Sequence, residues 1–87
     1  MDDSITLVVV TPSGKVFSGR ASYVSLPEQG GKIGILKGHA PLLAALEEGE
    51  IFCRQQSGTV CIRVSDGVAE VSDNYVTVLA SAAKIME

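Results

Sequence analysis

Apolar and polar side chains alternate along most of this chain, and turn-forming residues cut the alternation at short intervals; no other feature limits the possible folds as much. Ile5, Leu7 and Val9 share one face of an extended segment, and Thr6, Val8 and Val10 share the other. Both faces are apolar enough to predict a central strand with neighbours on each side. Thr11-Pro12-Ser13-Gly14 breaks it, because proline removes a ladder donor and glycine permits a positive φ. Lys15-Val16-Phe17 is then a short return strand stopped by Ser18-Gly19. Ala21 to Leu26 is extended again, with Val24 and Leu26 inward, and Pro27 ends it. Glu28-Gln29-Gly30-Gly31-Lys32 reads as a polar, flexible hairpin tip. The strand after it, Ile33-Gly34-Ile35-Leu36, holds a glycine of the kind that marks a bulge or a close backbone approach.

The second half repeats the pattern. Glu50 to Gln56 and Thr59 to Ser65 flank Ser57-Gly58 as a hairpin, with Val60, Ile62 and Val64 on one face and Cys61 and Arg63 on the other. Pairing Gln55 with Thr59 sets Cys53 opposite Cys61, a register that allows a cross-strand disulfide; the plainer reading is two semi-buried thiols filling a sheet face. Asp66-Gly67 predicts a tight type I′ turn. Val68 to Val71 leads to another turn at Asp73-Asn74, and Tyr75 to Leu79 follows with Val76 and Val78 on one face. Turns at such regular spacing indicate an antiparallel sandwich or barrel. Two segments depart from it. Pro41 to Gly49 has proline first, good helix formers within and glycine last, so local propensity predicts a short helix over 41–48. The tail from Ala80 to Glu87 is alanine-rich and predicts a helical turn or a frayed end.

At 87 residues the chain is one domain, 1–87, with its core over about 5–80 and a short tail over 81–87. A hydrophobic fraction of 46% excludes wholesale disorder. A net charge of −3 leaves no basic excess to displace counterions from nucleic acid. Charged residues interrupt every apolar stretch well short of the ~18 residues that a membrane helix needs. Met1-Asp2-Asp3-Ser4 lacks the basic start of a secretory or transit peptide, so a soluble, cytoplasm-facing protein is expected.

No catalytic constellation stands out. His39 is the single histidine, which rules out a multi-histidine metal site, and between Gly38 and Ala40 it reads as a loop residue bonded to backbone. Cys53 and Cys61 lack C-x-x-C spacing, and no serine sits in a G-x-S-x-G elbow. Gly14-Lys15 and Gly31-Lys32 are followed by Val16 and Ile33, not by the Ser or Thr of a phosphate loop. Glu47, Glu48 and Glu50 read as a solvated acidic loop. No cofactor is expected. A binding or structural role remains, with Glu28, Lys32, Lys37 and Arg63 as candidate specificity contacts.

Three stretches carry a family resemblance. Val10-Thr11-Pro12-Ser13-Gly14-Lys15-Val16-Phe17-Ser18-Gly19 resembles the opening hairpin of the epsilon subunit of F-type ATP synthases. The glycine-punctuated run from Leu26-Pro27-Glu28 through Gly38-His39-Ala40-Pro41-Leu42 to Leu46 resembles the same family, as do Gly67 to Val71 and Asn74 to Ala80. The resemblance implies a β-sandwich of about ten short strands in two sheets, and it favours strand over helix after Pro41. It implies a non-catalytic rotor component that binds the gamma subunit and the c-ring, peripheral to the cytoplasmic face of the bacterial inner membrane, with no homo-oligomer of its own. Glu28, Gln29, Gly30, Gly31 and Lys32 correspond to the c-ring contact, with Lys32 standing where many relatives carry an acid. Gly38, His39, Ala40, Pro41 and Leu42 correspond to a region near the gamma and c-ring interface. Only Ser81 to Glu87 follow the last expected strand, so the inhibitory helical hairpin of many relatives is expected to be missing. A free-standing β-sandwich adaptor is the alternative.

Overall fold

A computed structural model describes residues 2–86. Ten strands follow one another with no helix among the described residues: β1 (Ile5–Thr11), β2 (Gly14–Ala21), β3 (Tyr23–Glu28), β4 (Gly31–Ile35), β5 (Leu42–Leu46), β6 (Gly49–Gln55), β7 (Gly58–Val64), β8 (Gly67–Ser72), β9 (Tyr75–Ala80) and β10 (Ala83–Met86). They form two layers. One runs β10-β7-β6-β3 with β4 on the far side of β3, and the other runs β5-β8-β9-β1-β2. The single pair Glu28–Leu46 joins the layers along one border, so the whole is a nearly closed, barrel-like sandwich. Every pairing is antiparallel except that of β1 with β9. As expected, β1 is central, between β2 and β9, with Ile5, Leu7 and Val9 inward and Thr6, Val8 and Val10 half-buried on its outer face.

The inner faces supply one core. Ile5, Leu7 and Val9 of β1 meet Val24 and Leu26 of β3, with Ile51 and Cys53 of β6, Ile62 and Val64 of β7, and Val76 and Val78 of β9 completing it. All of these have lost essentially all solvent contact. On β5 the alternation places Leu42, Ala44 and Leu46 inward and leaves Leu43 and Ala45 outside. Local propensity favoured helix here. The ladder to β8 from Leu42–Val71 to Leu46–Gly67 overrides it, because a segment this short needs tertiary partners to hold a helix and finds strand partners instead.

Five other expectations are corrected. The β6–β7 hairpin closes through Gln56 and Ser57 with Gln55 opposite Gly58, one residue away from the expected register. That slip exchanges faces: Cys53 lies opposite Val60 in the core and Cys61 opposite Phe52 outside, so both thiols are free and no disulfide joins them. The type I′ turn is at Asp73-Asn74, where φ is 53° and 61°, and not at Asp66-Gly67. There the chain passes from one layer to the other, and Ser65 N–H donates to the Ala82 carbonyl while Ser81 N–H donates to that of Asp66. Gly67 is required for a different reason: its φ is +154°, and a Cβ would collide with the Leu79 carbonyl oxygen. Residues 83–86 of the tail are the edge strand β10, laid against β7 from Ala83–Val64 to Met86–Cys61; Glu87 lies outside the described residues. Finally, β2 runs through Ser18-Gly19 to Ala21, because its ladder to β1 continues as far as Ile5–Ala21, and β3 continues through Pro27 to Glu28.

Ile51→Ala should cost about 2–5 kcal/mol of unfolding free energy in urea titrations, whereas Leu43→Ala should change it by no more than about 0.5 kcal/mol. Equal losses at the two positions would contradict the assignment of faces.

Candidate partner-binding surface

The two groups of residues singled out in the sequence sit at opposite ends of β5, roughly 14 Å apart along the strand at ~3.4 Å per residue. At one end, Gln29 and Gly30 turn the β3–β4 hairpin, with Glu28 closing β3 and Gly31 and Lys32 opening β4. The tip is tied down: Gln29 N–H donates to the Ala45 carbonyl at 3.1 Å, and Glu47 N–H donates to that of Pro27 at 2.9 Å. Gly30 and Gly31, at φ +95° and +147°, adopt backbone that side chains disfavour, which explains the paired glycines. The Lys32 ammonium lies 5.3 Å from the centre of the Phe52 ring.

At the other end, residues 36–41 form an exposed loop. His39 N–H donates to the Leu36 carbonyl, and the His39 Nδ1–H donates to the Ala40 carbonyl at 2.7 Å, so the ring is engaged by backbone as expected of a loop histidine. Gly38 N–H donates to Asn74 Oδ1 at 2.7 Å, while the Asn74 carbonyl accepts from Thr6 N–H. Asn74 therefore fixes this loop against the β8–β9 turn, a role that its sequence neighbours do not reveal. Leu42 faces the core and is half-buried; its neighbour Leu43 is exposed, with 74% of its surface accessible.

Sequence reasoning missed an apolar surface that spans four strands. On the outer face of β5-β8-β9-β1, Ala45 pairs with Val68, Val68 with Leu79, and Leu79 with Val10, so four apolar side chains cross four strands in one row. The adjacent row is Leu43, Glu70, Thr77 and Val8, and Tyr75 follows beside Ser72 and Thr6. Leu43, Val68, Tyr75 and Leu79 are all among the exposed large hydrophobic residues, and Glu70 is the one charge in those rows. Such contiguous apolar surface marks an interaction site. The signal was present as ordinary alternation, but its lateral alignment depends on the register of four strands.

The opposite outer face, on β3, β4, β6 and β7, is polar. Arg63 holds Glu48 at 3.1 Å and Glu50 at 3.7 Å, and the Arg54 guanidinium lies 5.0 Å from the centre of the Tyr23 ring. Gly34 marks a close approach, as its glycine suggested: the Tyr23 ring lies where a Cβ would project. Burial and then the nearby Asp3 carboxylate push the Cys53 thiol up to about 11, and burial also raises that of Cys61, so neither is poised as a thiolate nucleophile. Among the described residues, no group of three or more His, Cys, Asp or Glu side chains is arranged to hold a metal ion, and no helix is long and apolar enough to cross a membrane.

The fold and its surface define a β-sandwich domain with one apolar and one polar outer face. The chain belongs to the ATP synthase delta/epsilon chain β-sandwich domain family, whose model matches residues 4–85. It is 44% identical over 84 residues to the ATP synthase epsilon chain of Lawsonia intracellularis, covering 97% of this chain and 63% of that one. It is likewise 44% identical over 81 residues to the epsilon chain of Synechococcus elongatus, covering 93% of this chain and 59% of the relative. The chain thus spans somewhat under two thirds of the length of these curated relatives. The fold recurs in a chain of the mitochondrial ATP synthase of Euglena gracilis, with a TM-score of 0.86 at 19% identity over 98% of this chain and 55% of that one. It recurs again in the central stalk and c-ring structure of the Tetrahymena thermophila enzyme, with a TM-score of 0.76 at 15% identity over 95% of this chain and 67% of that one.

Replacing Asn74 with glycine retains the turn geometry but removes the acceptor for Gly38. Amide exchange at Gly38 should then accelerate by roughly fivefold, the equivalent of one hydrogen bond worth about 1 kcal/mol, with the core unaffected. Unchanged exchange would show that the loop is held by other means.

Proposed function

We propose that this chain is a non-catalytic central-stalk rotor component of an F-type ATP synthase, joining the gamma subunit to the c-ring so that ion flow is coupled to ATP synthesis. The single observation that carries the reading is the row Ala45-Val68-Leu79-Val10 on an exposed sheet face, in a chain whose relatives are ATP synthase epsilon chains. That face docks on gamma. Its apolar side chains gain by leaving water, and Leu43, Tyr75 and Leu79 are large enough to anchor an interface. The loop at Gly38, His39, Ala40 and Pro41 borders the same face and sets its edge, while Leu42 acts from within by packing β5 onto the core. The hairpin of Glu28, Gln29, Gly30, Gly31 and Lys32 meets the polar loops of the c-ring. Its glycines hold a narrow tip, and its polar side chains suit a hydrated contact. The complex holds the chain at the cytoplasmic face of the bacterial inner membrane, with no cofactor of its own.

The test is reconstitution into synthase complexes stripped of their epsilon subunit, followed by comigration and ATP-driven proton pumping. The unmodified chain should bind stoichiometrically and restore pumping. Leu79→Asp should fold normally, because the side chain is exposed, yet lose affinity by on the order of a hundredfold or more through the cost of burying its carboxylate. Binding by Leu79→Asp as tight as that of the unmodified chain would remove this face from the interface. Failure of the folded, unmodified chain to bind would favour a free-standing adaptor.

A further inference from the structure

The outer face of β3 and β6 carries a groove of about 340 Å³ lined by Tyr23, Ser25, Lys32, Phe52, Arg54 and Thr59. Its lining holds two cations and no acid. The neighbouring groove shares Lys32 and Phe52 with it but is otherwise different in kind, since Glu47, Glu48 and Glu50 also line it. There Arg63 engages two of the three carboxylates, Glu48 and Glu50. Lys32 and Arg54 form no ion pair among the described residues; each is instead steadied over an aromatic ring, Lys32 by Phe52 and Arg54 by Tyr23. Two positive groups held in place by ring faces, with the Ser25 and Thr59 side chains also in the lining, match the charge and hydrogen-bonding capacity of a carboxylate.

We infer that this groove is a carboxylate-binding site, and that its occupant is an Asp or Glu side chain on a loop of the protein that meets the β3–β4 hairpin. Continuity argues for a protein loop over a free acid: Lys32 belongs both to the hairpin and to the groove, so a segment seated on the tip reaches the groove without leaving the surface. The groove is also open and lies on an exposed sheet, where a small free acid would bury too little surface to be held. Under the function proposed above, the loop is the polar loop of the c-ring, and for the partner's identity the inference rests on that reading. The chain thereby offers a cation where the incoming loop presents an acid, which makes the groove a determinant of which ring the subunit accepts.

Binding to purified c-ring at about 50 mM and about 300 mM salt tests this with four variants, all at exposed positions. Lys32→Glu and Arg54→Glu should each weaken binding by roughly tenfold at the lower salt and flatten its salt dependence. Lys32→Met, which retains the packing on Phe52, should weaken it several-fold. Gln29→Trp, which blocks close approach of the tip without touching the groove, should abolish it. If the charge reversals bind like the unmodified chain while Gln29→Trp does not bind, the carboxylate site is wrong and the ring contact stands. Tighter binding by the charge reversals would mean a basic loop and would also overturn the inference. If the unmodified chain shows no affinity for the ring, the ring contact itself falls and the groove loses its proposed occupant.

Discussion

The two layers share a single core, and that core depends on register. Each strand turns every second side chain inward, so Ile5, Leu7 and Val9 can meet Val24, Leu26, Ile51 and Ile62 only while each ladder keeps its alignment. A slip of one residue anywhere would send a buried row into water and bring a polar row inside. Several local devices hold the alignment. The register shift between Val9 and Val10 lets β2 follow β1, the left-handed pair Asp73-Asn74 fixes β8 on β9, and Gly67 lets the backbone of Leu79 and Ala80 pass closely. The same alternation that fills the core leaves each layer a second face. Among the described residues those faces stay open to solvent.

Those outer faces differ in chemistry, and the difference follows from which strands lie side by side. On β5-β8-β9-β1 the outward residues align into apolar rows. On β3, β4, β6 and β7 they bring Lys32, Arg54 and Arg63 near aromatic rings and acids. The exposed Arg63 pairs contribute little to stability, at most about 1 kcal/mol each, and serve more to fix where the acids sit. With the hairpin tip pinned at one end of β5 and the His39 loop at the other, a short rigid strand separates the two candidate contact regions. In the proposed reading, that separation is what allows one small domain to hold gamma and the c-ring at once.

Much of the fold was legible in the sequence because period-two patterning is strong and local. The strands around Ile5–Val10, Cys61–Val64 and Tyr75–Leu79 lie where the alternation put them, and the β-sandwich class followed. What failed to show were outcomes decided by distant partners. Pro41 to Leu46 has a helix former's composition, but its neighbours are strands. The alanine-rich tail became β10 because β7 offers an open edge. The one-residue error at Gln56-Ser57 arose because both that pair and Ser57-Gly58 are acceptable turn centres, and only packing against β3 chooses between them. The site followed the same division. The glycine-marked hairpin and the His39 loop were singled out as contacts only by the family resemblance, whereas the apolar row needs residues 10, 45, 68 and 79 to become neighbours.

The most direct test is a cryo-electron microscopy structure of the reconstituted complex, resolved well enough to show which face of this domain is covered. The account predicts Leu43, Val68, Tyr75 and Leu79 buried against gamma. Gamma seated instead on Phe52, Arg54 and Arg63, with the apolar rows still in solvent, would contradict it.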